Sequence, residues 1–206
     1  MTCQGRLYVV AAPSGAGKTS LVNALIKAVP QVQLSISHTT RAIRPGEENG
    51  VHYFFTTKPE FEALIAQGAF LEHATVFTNY YGTSRTFVEQ TLAAGRDVIL
   101  EIDWQGHEQI KQLFPSSIGI FILPPSMEAL RERLTSRKQD SAEVIAARLA
   151  DAKEAVSHLP SFEYVVMNDD FNTALAELSA ILIAERLRTP VQAVRYAHLV
   201  EGIKKL

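Results

Sequence analysis

The segment 12–19, which reads Ala-Pro-Ser-Gly-Ala-Gly-Lys-Thr, constrains the fold of this chain more than any other. It follows an apolar run at 7–11 with the composition of a buried strand, and apolar residues with helical spacing follow it at 21, 22, 25, 26 and 29. A strand, a glycine-rich turn and a helix that begins with Gly-Lys-Thr form the context of a phosphate-binding P-loop. The sequence therefore predicts an α/β core that binds a nucleoside triphosphate.

The chemistry of a P-loop depends on particular residue types. Gly15 and Gly17 allow backbone N–H groups to turn inward and form a nest for phosphate oxygens. Lys18 supplies a positive charge for the β- and γ-phosphates, and the Thr19 hydroxyl is suited to ligate Mg²⁺. Ala12 replaces the first glycine of the general pattern, so a glycine-rich turn without a ligand is the alternative interpretation. The residues predicted to bind the nucleotide are Ala12, Pro13, Ser14, Gly15, Ala16, Gly17, Lys18 and Thr19.

Composition and charge exclude several classes of protein. The 206 residues carry a formal net charge of −2, which gives no reason to expect a nucleic-acid or anionic-membrane partner. Cys3 is the single cysteine, which is typical of a reducing compartment. No apolar run approaches the length of a membrane span, and the first strand begins too early for the apolar segment of a signal peptide. We expect a soluble, cytoplasmic protein.

Pattern changes along the chain predict its domain organisation. After a strand at 32–36, the polar and cationic segment 37–47 does not read as core, and 79–82 reads as a turn. We expect residues 35–83 to form a small α+β lobe inserted into a parallel sheet with helices on both faces. The core is then 1–34 and 84–190, and 191–206 is a tail that packs on the core or on another subunit of a homo-oligomer.

Six blocks of sequence carry a resemblance to one family. They are residues 12–19, 37–47, 70–72, 79–83, 102–106 and 168–170, and over nearly its full length the chain resembles the guanylate kinases. The Thr-Thr-Arg sequence at 39–41 and the Tyr-Tyr-Gly sequence at 80–82 are specific to that family among P-loop kinases. The resemblance implies a GMP-binding lobe, a helical lid at about 131–148, and Mg²⁺-dependent transfer of the ATP γ-phosphoryl group to GMP. Its products, ADP and GDP, belong to purine nucleotide metabolism and GMP recycling.

The acceptor phosphate needs cationic partners. Arg41 and Arg44 are three residues apart in a loop rich in glycine and proline, and they can converge on a phosphate dianion. Two solvated surface arginines are the alternative. The resemblance adds the hydroxyls of Tyr53 and Tyr81 as ligands of the same phosphate; without it, both rings would be read as core or turn residues.

The guanine base presents two adjacent donors, N1–H and the N2 amine, and one acceptor, O6. A carboxylate accepts from both donors at once, and a hydroxyl donates to O6. The resemblance gives these roles to Glu72 and Ser37, and it places Thr83 and Glu101 at further base-side positions. Glu101 stands where the family usually has aspartate, so its contact is left open. Asp103 ends the same strand beside the expected Mg²⁺, with an ordinary strand-end acid as the alternative.

A cationic cluster lies at 131–138, after a predicted buried strand at 118–123. The resemblance assigns Arg133, Arg137 and Arg148 to the lid as catalytic residues, because transition-state charge on the phosphoryl group requires cations. A solvated helix face is the alternative interpretation. Lys138 replaces a glycine that is common there, and Asn168 is assigned to the ATP site.

Two other functions remain open at this stage. A non-catalytic module that resembles guanylate kinase would bind partners, but it would typically lack a working P-loop. A P-loop kinase could also act on another phosphorylated acceptor, such as a ribose phosphate. The favoured partners are ATP and GMP, with dGMP as a second acceptor.

Overall fold

The computed structural model describes residues 4–76, 78–136 and 141–205. Its strands are β1 (Leu7–Ala11), β2 (Val32–Ser35), β3 (His38–Thr39), β4 (Phe54–Phe55), β5 (Phe70–Val76), β6 (Asn79–Ser84), β7 (Asp97–Glu101), β8 (Ile118–Leu123) and β9 (Tyr164–Met167). Its helices are α1 (Lys18–Ala28), α2 (Lys58–Ala66), α3 (Arg85–Ala93), α4 (Trp104–Leu113), α5 (Met127–Ser136), α6 (Ala142–Ser157), α7 (Phe171–Arg186), α8 (Thr189–Arg195) and α9 (Ala197–Lys204).

The main sheet is entirely parallel, with the strand order β2-β7-β1-β8-β9. The central strand β1 is buried along its whole length, as its continuous apolar sequence requires when helices cover both faces. Because all five strands point the same way, the segments that follow β1, β7 and β9 meet at one edge of the sheet. The predicted α/β class with a P-loop sheet flanked by helices is confirmed.

The second sheet takes its strands from residues 38–84 and has the order β4-β3-β6-β5. Strand β6 pairs with β5 and β3 in antiparallel directions, and it includes the segment 79–82. The prediction of a turn at 79–82 was wrong, because pairing on both sides outweighs the turn-like composition of Asn-Tyr-Tyr-Gly. Strand β3 lies within the polar segment 37–47, which did not read as core, and its Thr39 side chain is buried.

Several helices begin with a side chain that caps their first turn. Ser84 accepts a hydrogen bond from the Phe87 N–H at the start of α3, and Ser141 caps α6 in the same way. Asp103 caps α4 by accepting from the Gly106 N–H over 2.9 Å. These caps satisfy backbone donors that have no partner inside a helix. No helix within the described ranges is long and apolar enough to cross a membrane.

Candidate active site

The turn between β1 and α1 has the backbone conformation of a phosphate nest. Gly15 and Gly17 have φ values of 96° and 93°, which side chains resist. A Cβ on Gly17 would lie 2.4 Å from the Asn168 amide nitrogen, so this position has no room for a side chain. Gly17 is also the N-cap of α1 and receives no side-chain cap, which leaves N–H groups at this helix end for an anion.

Asn168, which follows β9, is hydrogen-bonded to this turn. Its side-chain amide donates to the Ala16 carbonyl over 2.7 Å, and its backbone N–H donates to the Leu123 carbonyl over 2.8 Å. The backbone carbonyl of Asn168 accepts a hydrogen bond from the Arg133 guanidinium over 3.1 Å. The buried Asn168 therefore joins the P-loop to the helix α5, and its amide is directed at protein backbone.

The first two side chains of α1, Lys18 and Thr19, both face the end of β7. The Lys18 ammonium donates to the Ile102 carbonyl over 3.2 Å and lies 4.0 Å from the Glu101 carboxylate. The Thr19 hydroxyl donates to the same Glu101 carboxylate. This contact was not expected from the sequence, because Glu101 had been assigned to the base side of the acceptor site.

The helices α5 and α6 close over the P-loop. Leu130 and Leu134 are buried and stand so near Gly15 that a Cβ there would lie 3.1 Å from each. The Arg148 guanidinium on α6 donates to the Ser14 hydroxyl over 3.2 Å. Arg133 is held by Asn168, as described above, whereas Arg137 and Lys138 lie outside the described residues. Two of the three arginines assigned to the lid thus contact the P-loop or its support.

Beside the second sheet, the Arg41 side chain packs against the ring of Tyr53. The Arg41 guanidinium lies 5.4 Å from the centre of the Tyr53 ring, and the Tyr53 and Tyr81 rings are 6.0 Å apart. Burial is the main cause that raises the pKa of Tyr53 to about 12, and the negative charge of Glu101 contributes in the same direction. The phenol therefore stays a neutral donor at neutral pH. The Arg44 side chain is exposed.

Glu47 is a residue of this group that sequence reasoning missed. Its carboxylate accepts from the Arg41 guanidinium over 2.6 Å and from the Arg44 backbone N–H over 2.8 Å. The hydrogen bond from Arg41 is the main cause that lowers the pKa of Glu47. An acid three residues after Arg44 in a turn was the available signal. Glu47 fixes the loop that carries both arginines.

Glu72 is a buried carboxyl group with one hydroxyl partner. Register between β5 and β6 places Thr83 opposite Glu72, and the Thr83 hydroxyl donates to Glu72 Oε1 over 2.5 Å. Burial raises the pKa of Glu72 to about 7, and the negative charge of Asp103 contributes in the same direction. A Cβ on Gly106 would lie 2.8 Å from Glu72 Oε2, so a glycine in α4 is what admits this side chain. Ser37 is also buried at the end of the same sheet.

The oxygen atoms near the P-loop suit a hard divalent cation. Within the described part of the chain, no group of three or more His, Cys, Asp or Glu side chains could hold a metal ion. Thr19 and Glu101 supply a hydroxyl and a carboxylate, and Mg²⁺ usually takes few protein ligands together with phosphate oxygens and water. These two residues therefore fit a cation that arrives with a nucleotide. Asp103 uses its Oδ1 oxygen as the cap of α4.

Comparisons with known proteins agree over nearly the whole chain. The family model described as "Guanylate kinase" matches residues 4–185. A guanylate kinase from Hahella chejuensis is 58% identical over 200 residues, which cover 97% of this chain and 96% of the relative. Another, from Vibrio parahaemolyticus, is 55% identical over 202 residues, with 97% and 98% covered. A crystal structure of guanylate kinase from Anaplasma phagocytophilum matches with a TM-score of 0.77 and 35% identity, covering 91% of this chain and 89% of that one.

Proposed function

Because this chain belongs to the guanylate kinase family, we propose how its residues divide the family's reaction between a donor side and an acceptor side. The chain is a nucleoside monophosphate kinase that converts GMP to GDP. We take ATP as the phosphoryl donor and Mg²⁺ as its companion ion. Residues 35–83 are the GMP-binding lobe, 131–148 belong to the lid, and the rest up to 190 is the core.

On the donor side, the nest at 12–17 binds phosphate oxygens through backbone N–H groups, and Lys18 adds a charge. Binding of the triphosphate exchanges the Lys18 bond to the Ile102 carbonyl for a charged phosphate partner, which is a stronger hydrogen bond. Thr19 would hold the cation with its hydroxyl oxygen. Bound with ATP, Mg²⁺ would offset the negative charge that the phosphate oxygens carry during transfer.

On the acceptor side, Glu72 reads the base. Its ionised carboxylate accepts from both guanine donors, N1–H and the N2 amine, whereas adenine presents no such pair of donors to it. The bond from Thr83 fixes Glu72 Oε1 and thereby orients the carboxylate plane. Ser37 donates to guanine O6. A buried acceptor that loses its partner is costly, which makes this arrangement selective.

Arginines and tyrosines bind the phosphate groups. Arg41 and Arg44 neutralise the GMP phosphate, and the neutral hydroxyls of Tyr53 and Tyr81 donate to it. Arg133, Arg137 and Arg148 neutralise charge on the transferred group, because catalysis of phosphoryl transfer consists chiefly of positioning and electrostatic stabilisation. The arrangement of Arg148 beside Ser14 supports this role for one of them.

The P-loop and the buried Glu72 carboxyl group together carry the proposal, since they combine a triphosphate site with a guanine-selective acceptor site. The experiment is ADP release by the purified chain with ATP, Mg²⁺ and one acceptor at a time: GMP, dGMP, AMP, CMP or UMP. Turnover with GMP and dGMP alone supports the proposal. Turnover with every acceptor, or binding of ATP without turnover, would contradict it and favour another acceptor class or a non-catalytic module.

A further inference from the structure

Gln109 lies in the middle of α4, and its side-chain amide reaches from the core to the lobe that carries Glu72. We propose that Gln109 is a positioning residue that acts through Glu72, because it fixes the backbone of β5 beside the carboxylate that reads guanine. This inference rests on the proposed function, since it takes Glu72 as the guanine-reading group. It adds to the acceptor side a core residue that acts without touching the nucleotide.

The Gln109 amide bonds to both backbone groups of one residue in β5. Its Oε1 accepts a hydrogen bond from the His73 N–H over 3.2 Å, and its Nε2 donates to the His73 carbonyl over 3.0 Å. Strand β5 is the last strand of the second sheet, so its outer edge presents backbone groups that another part of the chain can bind. A side-chain amide carries the same donor and acceptor as a peptide group, so Gln109 pairs with this edge as a neighbouring strand would.

Helix α4 holds β5 at the residues on either side of Glu72. Leu71, the residue before Glu72, is buried in one apolar cluster with Ile110 of α4. His73, the residue after it, is bonded to Gln109 at both of its backbone groups. Because the two neighbours of Glu72 are held by the same helix, α4 sets the position from which the carboxylate starts.

The spacing along α4 places these contacts on one face of the helix. Gln109 and Ile110 follow Gly106 by three and four residues, so the three positions share a face. A Cβ on Gly106 would lie 2.8 Å from Glu72 Oε2, so the same face passes close to the carboxylate. The Thr83 hydroxyl fixes the other oxygen, Oε1, from the neighbouring strand. A shift of β5 away from α4 would therefore misplace the carboxylate for guanine.

The exposure of the two bonds separates positioning from stability. Because His73 is exposed and Gln109 is half-buried, water can take the place of a partner that is lost. The stability of the fold should therefore change little without these bonds, whereas the placement of Glu72 depends on them. Gln109 is also uncharged, so its replacement by methionine leaves the charges around Glu72 unchanged.

The experiment measures ADP release with GMP and ATP varied in turn for the wild type, Gln109→Met, Glu72→Gln and the double variant. Methionine keeps the length of the side chain and removes both hydrogen bonds. We expect Gln109→Met to lower kcat/KM for GMP by about tenfold through a higher KM for GMP, the effect of about two neutral hydrogen bonds. The KM for ATP should change less than about twofold. In the Glu72→Gln background, Gln109→Met should change kcat/KM for GMP less than about twofold, because Gln109 acts through Glu72.

Controls separate the inference from other causes. Gln112→Met, at an exposed position three residues later in α4, makes the same substitution away from β5 and should alter neither KM. Urea unfolding checks that Gln109→Met keeps the stability of the wild type. An unchanged kcat/KM for GMP in Gln109→Met, or an equal loss with and without Glu72, would overturn the inference and leave the proposed function intact. A wild type that does not phosphorylate GMP would overturn both.

Discussion

The side-chain amide of Asn168 donates to the Ala16 carbonyl over 2.7 Å, although 152 residues separate the two along the chain. The bond ties the segment after β9 to the middle of the P-loop, and the backbone carbonyl of Asn168 binds Arg133 at the same time. One buried residue therefore bonds to both the P-loop turn and the Arg133 guanidinium.

Asn168→Ala should lower both stability and ATP affinity. The change leaves the Ala16 carbonyl without its partner, which costs about 1–3 kcal/mol of unfolding free energy for a buried group. Urea unfolding and calorimetry with ATP measure the two effects. Asn172→Ala, at an exposed position in the first turn of α7, is the matched control. Unchanged ATP affinity in Asn168→Ala would mean that the nest holds its shape without this bond.

Lys18→Met should leave the fold intact and reduce kcat by about 10²-fold or more, as expected when a preorganised charge is removed from a site shielded from water. The Lys18 ammonium bonds to the Ile102 carbonyl at the end of β7 and makes a long contact with Glu101, so its loss should move the unfolding midpoint little. Lys27→Met makes the same substitution at an exposed position in the last turn of the same helix and serves as the control. Near-normal turnover in Lys18→Met would remove the P-loop lysine from the mechanism.

Arg41→Ala should raise the KM for GMP by about tenfold or more and leave the KM for ATP nearly unchanged, since it removes a charged hydrogen bond to one substrate only. Glu47→Ala should have a smaller effect in the same direction, because Glu47 orients Arg41. Steady-state kinetics with each substrate varied in turn measure both. Arg96→Ala, at an exposed arginine before β7, serves as the control. Equal effects on both substrates would show that Arg41 does not belong to the acceptor site.

Glu72 should make stability depend on pH in a definite direction. Burial raises its pKa from 4.5 to about 7, so the folded chain holds a proton that the unfolded chain has lost in this range. The folded state then binds more protons, and stability falls as the pH rises through this window. Relative to Glu72→Gln, the unfolding free energy of the wild type should fall by about 2 kcal/mol between about pH 5 and pH 7. Urea unfolding at several pH values measures this difference, and parallel pH profiles would contradict it.

The sequence predicted those parts of the fold that depend on local signals. The apolar run at β1 and the helical spacing of apolar residues in α1 need only neighbouring residues to be recognised. Strand β6 escaped prediction because its composition is typical of a turn and one of its two pairing partners, β3, is remote in sequence.

In the candidate site, too, the sequence predicts features made by neighbouring residues and misses contacts that depend on the fold. The P-loop could be read directly, because its residues are consecutive. The bonds of Glu101 to Thr19 and of Asn168 to Ala16 depend on which strand ends meet at the edge of the sheet. Strand order is a property of the tertiary structure, and a single sequence does not specify the contact that a given side chain makes there.

Glu72→Gln should remove the preference of the enzyme for guanine over adenine. Glu72→Gln keeps the size of the side chain but replaces one acceptor oxygen with an NH₂ donor, which opposes the donors of guanine and suits N1 of adenine. Discrimination by a buried polar group can reach about 10⁴-fold, and this change should abolish most of it. Glu62→Gln, on the exposed face of α2, is the matched control and should keep the wild-type preference.

The most direct measurement is the ratio of kcat/KM for GMP to that for AMP, determined for the wild type, Glu72→Gln and Glu62→Gln in one ADP-release assay. We expect a strong preference for GMP in the wild type and the control, and a collapse of the ratio in Glu72→Gln through loss of GMP turnover. A wild-type ratio in Glu72→Gln would contradict the account, because the buried carboxylate would then have no part in recognising guanine.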